Sequence, residues 1–299
     1  MTMKHADYLL VLVTALWGSS YLMMKTGLAN LGVFNLISLR FLLAFCLLAP
    51  FFYRRLRHTT RKTVIHAFIL SLNLIAVFAT IMFGLQHDSA SKAGFINALT
   101  AVFVPLLDFL CFRCKPERKV VLAIFTAFCG VALLTCEGGF IPGTGDLFCI
   151  AGAVFNALYL LLVDRFSKQE DGVALSVWQM GLTGVFSLLL SLSVEPFKLP
   201  VSSAGWMAVL GLGVLCSAVG YTLQNVAQRY TVSSHAGLIF MLEPVFSALF
   251  AYVLIGETLS AQGYAGAALV MLSIVLLEIR LPRSIRYAAR SALSTMHHR

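Results

Sequence analysis

Ten apolar runs of about twenty residues fix what this chain can fold into. They fall near residues 6–27, 33–53, 64–85, 92–112, 119–137, 145–164, 173–193, 204–228, 234–255 and 261–279. A bilayer core about 30 Å thick needs roughly 20 residues at about 1.5 Å each. In lipid every backbone N–H and C=O must be satisfied internally, which leaves helices and closed barrels. Runs this continuous lack the alternation of barrel strands, so they predict helices. The linkers are too short for a soluble domain. The chain is 59% hydrophobic and 12% charged over 299 residues, which excludes a disordered chain and an ordinary soluble core. The first run is too long for a cleavable signal and reads as the first span.

Charge predicts orientation. With the N-terminus inside and the spans alternating, eighteen of the 22 Lys and Arg fall on the inner side; the other four are Lys25, Arg40, Lys92 and Lys198. That asymmetry predicts a multi-pass protein of the cell (inner or plasma) membrane with both termini cytoplasmic. The net charge of +9 is then a topology signal and gives no reason to expect nucleic acid as a partner. The basic segment 281–299 reads as a cytoplasmic tail against anionic lipid. Seven cysteines lie mostly within apolar runs, where Cys acts as a small hydrophobe. Cys111 and Cys114 form a lone CxxC, too few ligands for zinc. Neither a metal nor any other cofactor is expected, and no phosphate-binding Gly-Lys loop points to ATP.

The chain also resembles itself. At a shift of 143, residues 91–105 repeat at 234–248 with seven of fifteen identical, among them Ser91, Ala93, Gly94 and Ile96. The register holds without a gap from the third run through the fifth. At a shift of 138, Tyr21-Leu22 falls on Tyr159-Leu160. The chain therefore divides into five-span halves, 1–138 and 139–280. Five is odd, so the second half enters the membrane from the opposite side. Inverted repeats of this kind mark transporters that work by alternating access.

Trp17-Gly18-Ser19-Ser20, the paired Ser-x-Ala-Gly-x-Ile segments, Leu242-Glu243-Pro244-Val245 and Gly256-Glu257 resemble the drug/metabolite transporter superfamily, closest to its EamA-type branch. The resemblance covers essentially the whole chain. It implies an all-α polytopic membrane protein of ten helices, two inverted five-helix repeats around a central cavity. It also implies transport of small organic solutes, with amino acids and related metabolites, often exported, as common substrates. The first half departs from the pattern: Thr100-Ala101 stands where the second has Glu243-Pro244, and Cys114 where it has Glu257. An acidic coupling residue can come from the second half alone.

Polar residues deep in a span are costly and face a cavity or another helix. Candidates for substrate binding are Trp17, Tyr21, Asn73, Thr80, Asn97, Thr100, Asn156, Tyr159, Tyr221, Gln224 and Asn225. Several share helical faces. Tyr221, Gln224, Asn225 and Gln228 recur at i, i+3, i+4 and i+7, and so do Trp17, Ser20, Tyr21 and Met24. His66, Asn73, Thr80 and His87 recur every seventh residue. The aromatic faces suit an aromatic or amphipathic solute and equally suit packing. Glu243 near mid-span, beside Pro244, is the coupling candidate: a carboxylate next to loosened backbone suits a cation, an amine or a proton. Lys92 and His235 take equivalent places at the starts of spans four and nine. They are gate candidates, able to meet an anionic group or to snorkel to the interface. The leading expectation is a secondary active or facilitative transporter exporting a small metabolite, not an enzyme. A membrane-embedded enzyme and a scramblase-like or structural protein are the alternatives. Protons, exchange or the substrate's own gradient all remain open as drive, and oligomeric state is not encoded in any of these features.

Overall fold

The computed structural model describes residues 3–112, 118–135, 143–167, 169–228, 239–240 and 242–278. Among them every regular element is helical. The first half contains α1 (Met3–Leu28), α2 (Val33–Phe51), the short α3 (Tyr53–Arg57) and α4 (Arg61–Leu85). It continues with α5 (Ala90–Asn97), α6 (Thr100–Phe112) and α7 (Arg118–Thr135). The second contains α8 (Thr144–Ser167), α9 (Gly172–Val194), α10 (Ser203–Leu210), a π-helical stretch Gly211–Val219 and α11 (Gly220–Gln228). It ends with α12 (Glu243–Ile255) and α13 (Ala261–Glu278). The segments carrying His235 and Cys114 lie outside the described residues, as does the tail 281–299, and so do the side chains of Asn225 and Cys111.

Six stretches are long and apolar enough to cross a membrane: Asp7–Leu28, Val33–Phe51, Arg61–Leu85, Thr144–Val163, Gly172–Val194 and Ser203–Gln224. Three shorter apolar helices, Ala90–Val104, Val121–Leu134 and Glu243–Ile255, overlap the expected fourth, fifth and ninth spans. The exterior is apolar. Phe125, Leu192 and Val253 are each more than 60% exposed, an inversion of a soluble surface that suits lipid contact.

Helix ends follow local chemistry. Ser89 caps α5 through the Lys92 N–H, Thr60 caps α4 through Thr63, and Asp171 caps α9 through Val173. Glu195 accepts from the backbone N–H groups of Phe34 and Asn35 at the start of α2, at 3.3 and 3.1 Å. Its negative charge favours the positive end of that helix.

Two of the apolar runs are interrupted. α5 gives way to α6 at Ala98–Leu99, and α12 begins anew at Glu243 after a turn at Leu242. The two breaks coincide under the 143-residue shift. Glu243 therefore does not sit in the middle of a continuous helix, as its run suggested. It opens one, with Pro244 in the first turn, where its missing N–H leaves no intrahelical bond unmade.

The helices pair in a regular way. α7 packs along α13, and α2 along α9. α1 packs against α12 and against the α10–α11 column; α8 packs against α5–α6 and against α4. α5 also touches α12. Small residues permit the closest approaches. A Cβ on Gly18 of α1 would lie 2.5 Å from the Phe246 Cβ and 2.9 Å from the Glu243 carbonyl oxygen. Backbones at this distance are the mark of small-residue helix packing in membranes.

Candidate functional site

The centre of the bundle is built around α1. Tyr21, 2% exposed, points its hydroxyl between the two helix breaks. It donates to Glu243 Oε1 at 3.1 Å and accepts from the Asn97 side-chain amide at 2.7 Å. Asn97 ends α5 and Glu243 starts α12, so one hydroxyl ties both interrupted helices to α1. Each such interhelical hydrogen bond contributes roughly 0.5–1.5 kcal/mol net. The Asn97 Oδ1 is buried with no partner among the described residues.

One turn earlier on α1, Trp17 donates its indole N–H to the Cys216 carbonyl at 3.0 Å. Its ring lies 5.3 Å from that of Tyr221 and stacks on Phe240 at 5.6 Å. Cys216 belongs to the π-helical stretch, and its thiol donates to the Leu16 carbonyl at 3.2 Å. Widened turns of this kind are frequent at functional sites. Glu243, Trp17 and Tyr221 each keep part of their surface open.

On the α8 side, Asn156 donates to the Thr100 hydroxyl at 3.2 Å, and that hydroxyl lies 3.3 Å from the Ala153 carbonyl. Thr100 holds the place in the first half that Glu243 holds in the second. Tyr159, the counterpart of Tyr21, accepts from Gln179 at 2.8 Å. Both halves thus present a tyrosine with an amide partner, but only one presents a carboxylate.

The remaining candidates are dispersed. Asn73 is buried, with its Oδ1 unpartnered among the described residues. Thr80 turns its hydroxyl back to the Ala76 and Val77 carbonyls of its own helix. Gln224 is 8% exposed. The seven-residue stripe on α4 does not act as one surface. His66 stacks on Phe166 at 4.1 Å and sits 3.2 Å from Glu170, at the charged end of the bundle. A cavity of about 480 Å³ opens at that end between Arg54, Arg55, Thr63, Glu170 and Asp171, remote from Tyr21 and Glu243.

Lys92 does not present a free cation to solute. It pairs with Asp88 at 3.1 Å and with Asp146 at 2.6 Å, at the opposite end of the bundle. Beside it, Glu257 accepts from the Ser91 N–H at 3.0 Å and pairs with Lys25 at 3.2 Å. Burial raises the Asp88 carboxyl above its ordinary value despite Lys92. For Glu257 burial pushes the same way, but the Ser91 N–H and Lys25 outweigh it and hold the carboxyl below its ordinary value. These contacts join α1 to the end of α12, and the start of α5 to the start of α8.

Arg40 lies deeper than its charge suggests. Charge alternation counts it among the four basic residues on the outer side, yet it is 1% exposed in the middle of α2. Its guanidinium lies 4.3 Å from the Phe78 ring centroid and 5.0 Å from that of Phe41. Its Nε donates to Ser217 at 3.1 Å and an Nη to the Met24 sulfur at 3.7 Å. No carboxylate of the described residues lies within 4.0 Å of it. Cation–π contacts return about 0.5–2 kcal/mol each, against several kcal/mol for burying an unpaired ion. The signal available was position: an Arg eight residues into a nineteen-residue apolar helix is too deep to snorkel.

Comparison with known proteins follows the same lines. The EamA-like transporter family matches residues 5–136 and again residues 143–279. An uncharacterized transporter of Archaeoglobus fulgidus is 27% identical over 277 residues, spanning 93% of this chain and 87% of the relative. A probable amino-acid metabolite efflux pump of Salmonella typhimurium is 26% identical over 298 residues, 95% of this chain and 98% of the pump. A probable terminal-alkyne amino-acid exporter of Streptantibioticus cattleyicolor is 26% identical, covering 94% and 95%. One crystal structure shares the fold with a TM-score of 0.67 at 19% identity, over 92% of this chain and 96% of the other. With the family matched along both halves and the apolar helices to span a membrane, the chain belongs to the EamA-like transporter family.

Proposed function

We propose that this protein is a ten-span secondary or facilitative transporter that exports a small organic metabolite, an amino acid or a related compound, across the cytoplasmic membrane. The observation that carries this is the Tyr21 hydroxyl joined to Asn97 and Glu243 at the two helix breaks. Broken helices with polar groups at their interruption are how membrane proteins build solute sites in lipid. The names of the Salmonella and Streptantibioticus relatives support the solute class and direction, and favour a transporter over an enzyme.

Alternating access is the mechanism. The two family matches and the coincident breaks support two inverted halves, 1–138 and 139–280. So does the pairing, in which α1 on α12 corresponds to α8 on α5–α6, and α1 on α10–α11 to α8 on α4. With the N-terminus inside, the Lys25–Glu257 and Lys92–Asp88–Asp146 contacts fall at the outer end and hold it shut. The first-half counterpart of Glu257 is Cys114, and the second-half counterpart of Lys92 is His235. The inner end thus lacks the matching acid and lysine, and the resting state is closed to the outside. Substrate enters between Trp17, Tyr21 and Tyr221. A bound amine or proton competes with Tyr21 for Glu243 and frees the α12 break to move.

The test is efflux from sealed proteoliposomes loaded with a mixture of cell metabolites, read by mass spectrometry. Depletion of specific solutes only in protein-bearing vesicles supports the reading. Equal retention of every solute with and without protein contradicts it.

A further inference from the structure

We propose that Arg40 binds the carboxylate of the transported solute, so that the substrate class is an organic acid or zwitterion with a free carboxyl group. The inference rests on the transporter reading above and assigns its site a second charged contact.

The Arg40 guanidinium has five N–H donors in a fixed planar fork. Among the described residues it makes two hydrogen bonds, both to neutral groups: the Ser217 hydroxyl and the Met24 thioether, the latter at a long 3.7 Å. Phe78 and Phe41 lie close to it. They provide apolar walls and cannot accept its N–H groups in the manner of an oxygen. The donors left over match a carboxylate, which accepts two parallel N–H bonds from such a fork. A buried cation without a fixed counter-ion is costly. The cost has a use if the counter-ion arrives with the substrate.

Placement joins this group to the rest of the site. Ser217, its partner, is the neighbour of Cys216, whose carbonyl receives the Trp17 indole. Met24 lies one turn beyond Tyr21 on α1. Tyr21 in turn donates to Glu243, and the Tyr221 ring lies 5.3 Å from that of Trp17. A cation and a carboxylate therefore contact α1 through residues one turn apart, Met24 and Tyr21. An α-amino acid has the complementary pair of charges, its carboxylate toward Arg40 and its ammonium toward Glu243.

The experiment is counterflow in proteoliposomes of the full-length protein. It uses the twenty L-amino acids, their methyl esters, their decarboxylated amines and a panel of other metabolites, in wild type, Arg40→Gln and Arg40→Lys. Wild type is expected to move one or more free carboxylates at least tenfold faster than the matching ester or amine. In Arg40→Gln that ratio should fall to about 1, while the amine or ester still moves. In Arg40→Lys it should fall at least threefold, because an ammonium does not reproduce the bidentate fork; this variant carries the test if Arg40→Gln fails to fold. An unchanged acid-to-ester ratio in the folded variants overturns the proposal. So does a wild type that moves other metabolites but no free carboxylate. A wild type that moves no solute at all tells against the transporter reading itself, and this proposal falls with it.

Discussion

The Tyr21 hydroxyl donates to Glu243 Oε1 at 3.1 Å across 222 residues of sequence. The Tyr21 hydroxyl oxygen accepts from Asn97, so a buried residue of one half is committed to a broken helix in each half. In a bundle held together by dispersion and a few interhelical hydrogen bonds, such a junction sets how far the breaks can move independently.

Removing the hydroxyl tests the junction with minimal change of shape. Tyr21→Phe should leave detergent-purified protein monodisperse and lower transport about tenfold to a hundredfold, in line with roughly 0.5–1.5 kcal/mol for each of the two hydrogen bonds the hydroxyl makes. Asn97→Leu should reproduce part of that loss, and the double variant should be no worse than the worse single one, because the two residues serve one oxygen. Initial rates of counterflow in the four proteins measure this. Fully additive losses would separate the two contacts.

Gly18 sets the spacing between α1 and α12. A methyl there meets Phe246 Cβ at 2.5 Å, with backbone rather than a flexible tip on the far side. Gly18→Ala should cost about 1–3 kcal/mol of overpacking and lower the unfolding midpoint in detergent. Gly172 has open space around its would-be Cβ, and Gly172→Ala should leave the midpoint unchanged.

At the proposed outer end, the Glu257 carboxyl titrates below its ordinary value of 4.5. A depressed carboxylate stabilises the closed end above that ordinary value, and its contribution is lost only as pH falls through the lowered one. Closure should therefore hold from neutral pH down past 4.5. Lys25 is 37% exposed, so solvent screens this pair and its worth is about 1 kcal/mol or less. Ser91→Cys, placed in a chain without its native cysteines, reads the result. Labelling by an impermeant maleimide should be slow at pH 7 and severalfold faster after Glu257→Gln. Equal rates would remove Glu257 from the gate.

Much of this architecture is visible in the amino-acid order, and the reasons are physical. Lipid demands long apolar helices, so α1, α2, α4, α8 and α9 follow their runs closely. The 143-residue register aligns Thr100 with Glu243 and so anticipates the matched breaks. The break itself at Ala98–Leu99 is invisible, because both residues favour helix and only tertiary packing interrupts them. Pro244 marks its counterpart, yet composition alone suggested a kink inside a helix rather than a new start. Asp88 lies four residues before Lys92 and was readable as its partner. Asp146, 54 residues further on, was not. The Tyr21–Asn97 and Arg40–Ser217 contacts join residues 76 and 177 apart, and no local period encodes them.

The coupling role of Glu243 is tested most directly by the pH dependence of solute counterflow in proteoliposomes, wild type against Glu243→Gln. Glu243→Gln should fold, lose acceleration by an imposed proton gradient, and transport at least tenfold more slowly. A Glu243→Gln protein that transports at the wild-type rate with the same pH profile would contradict it.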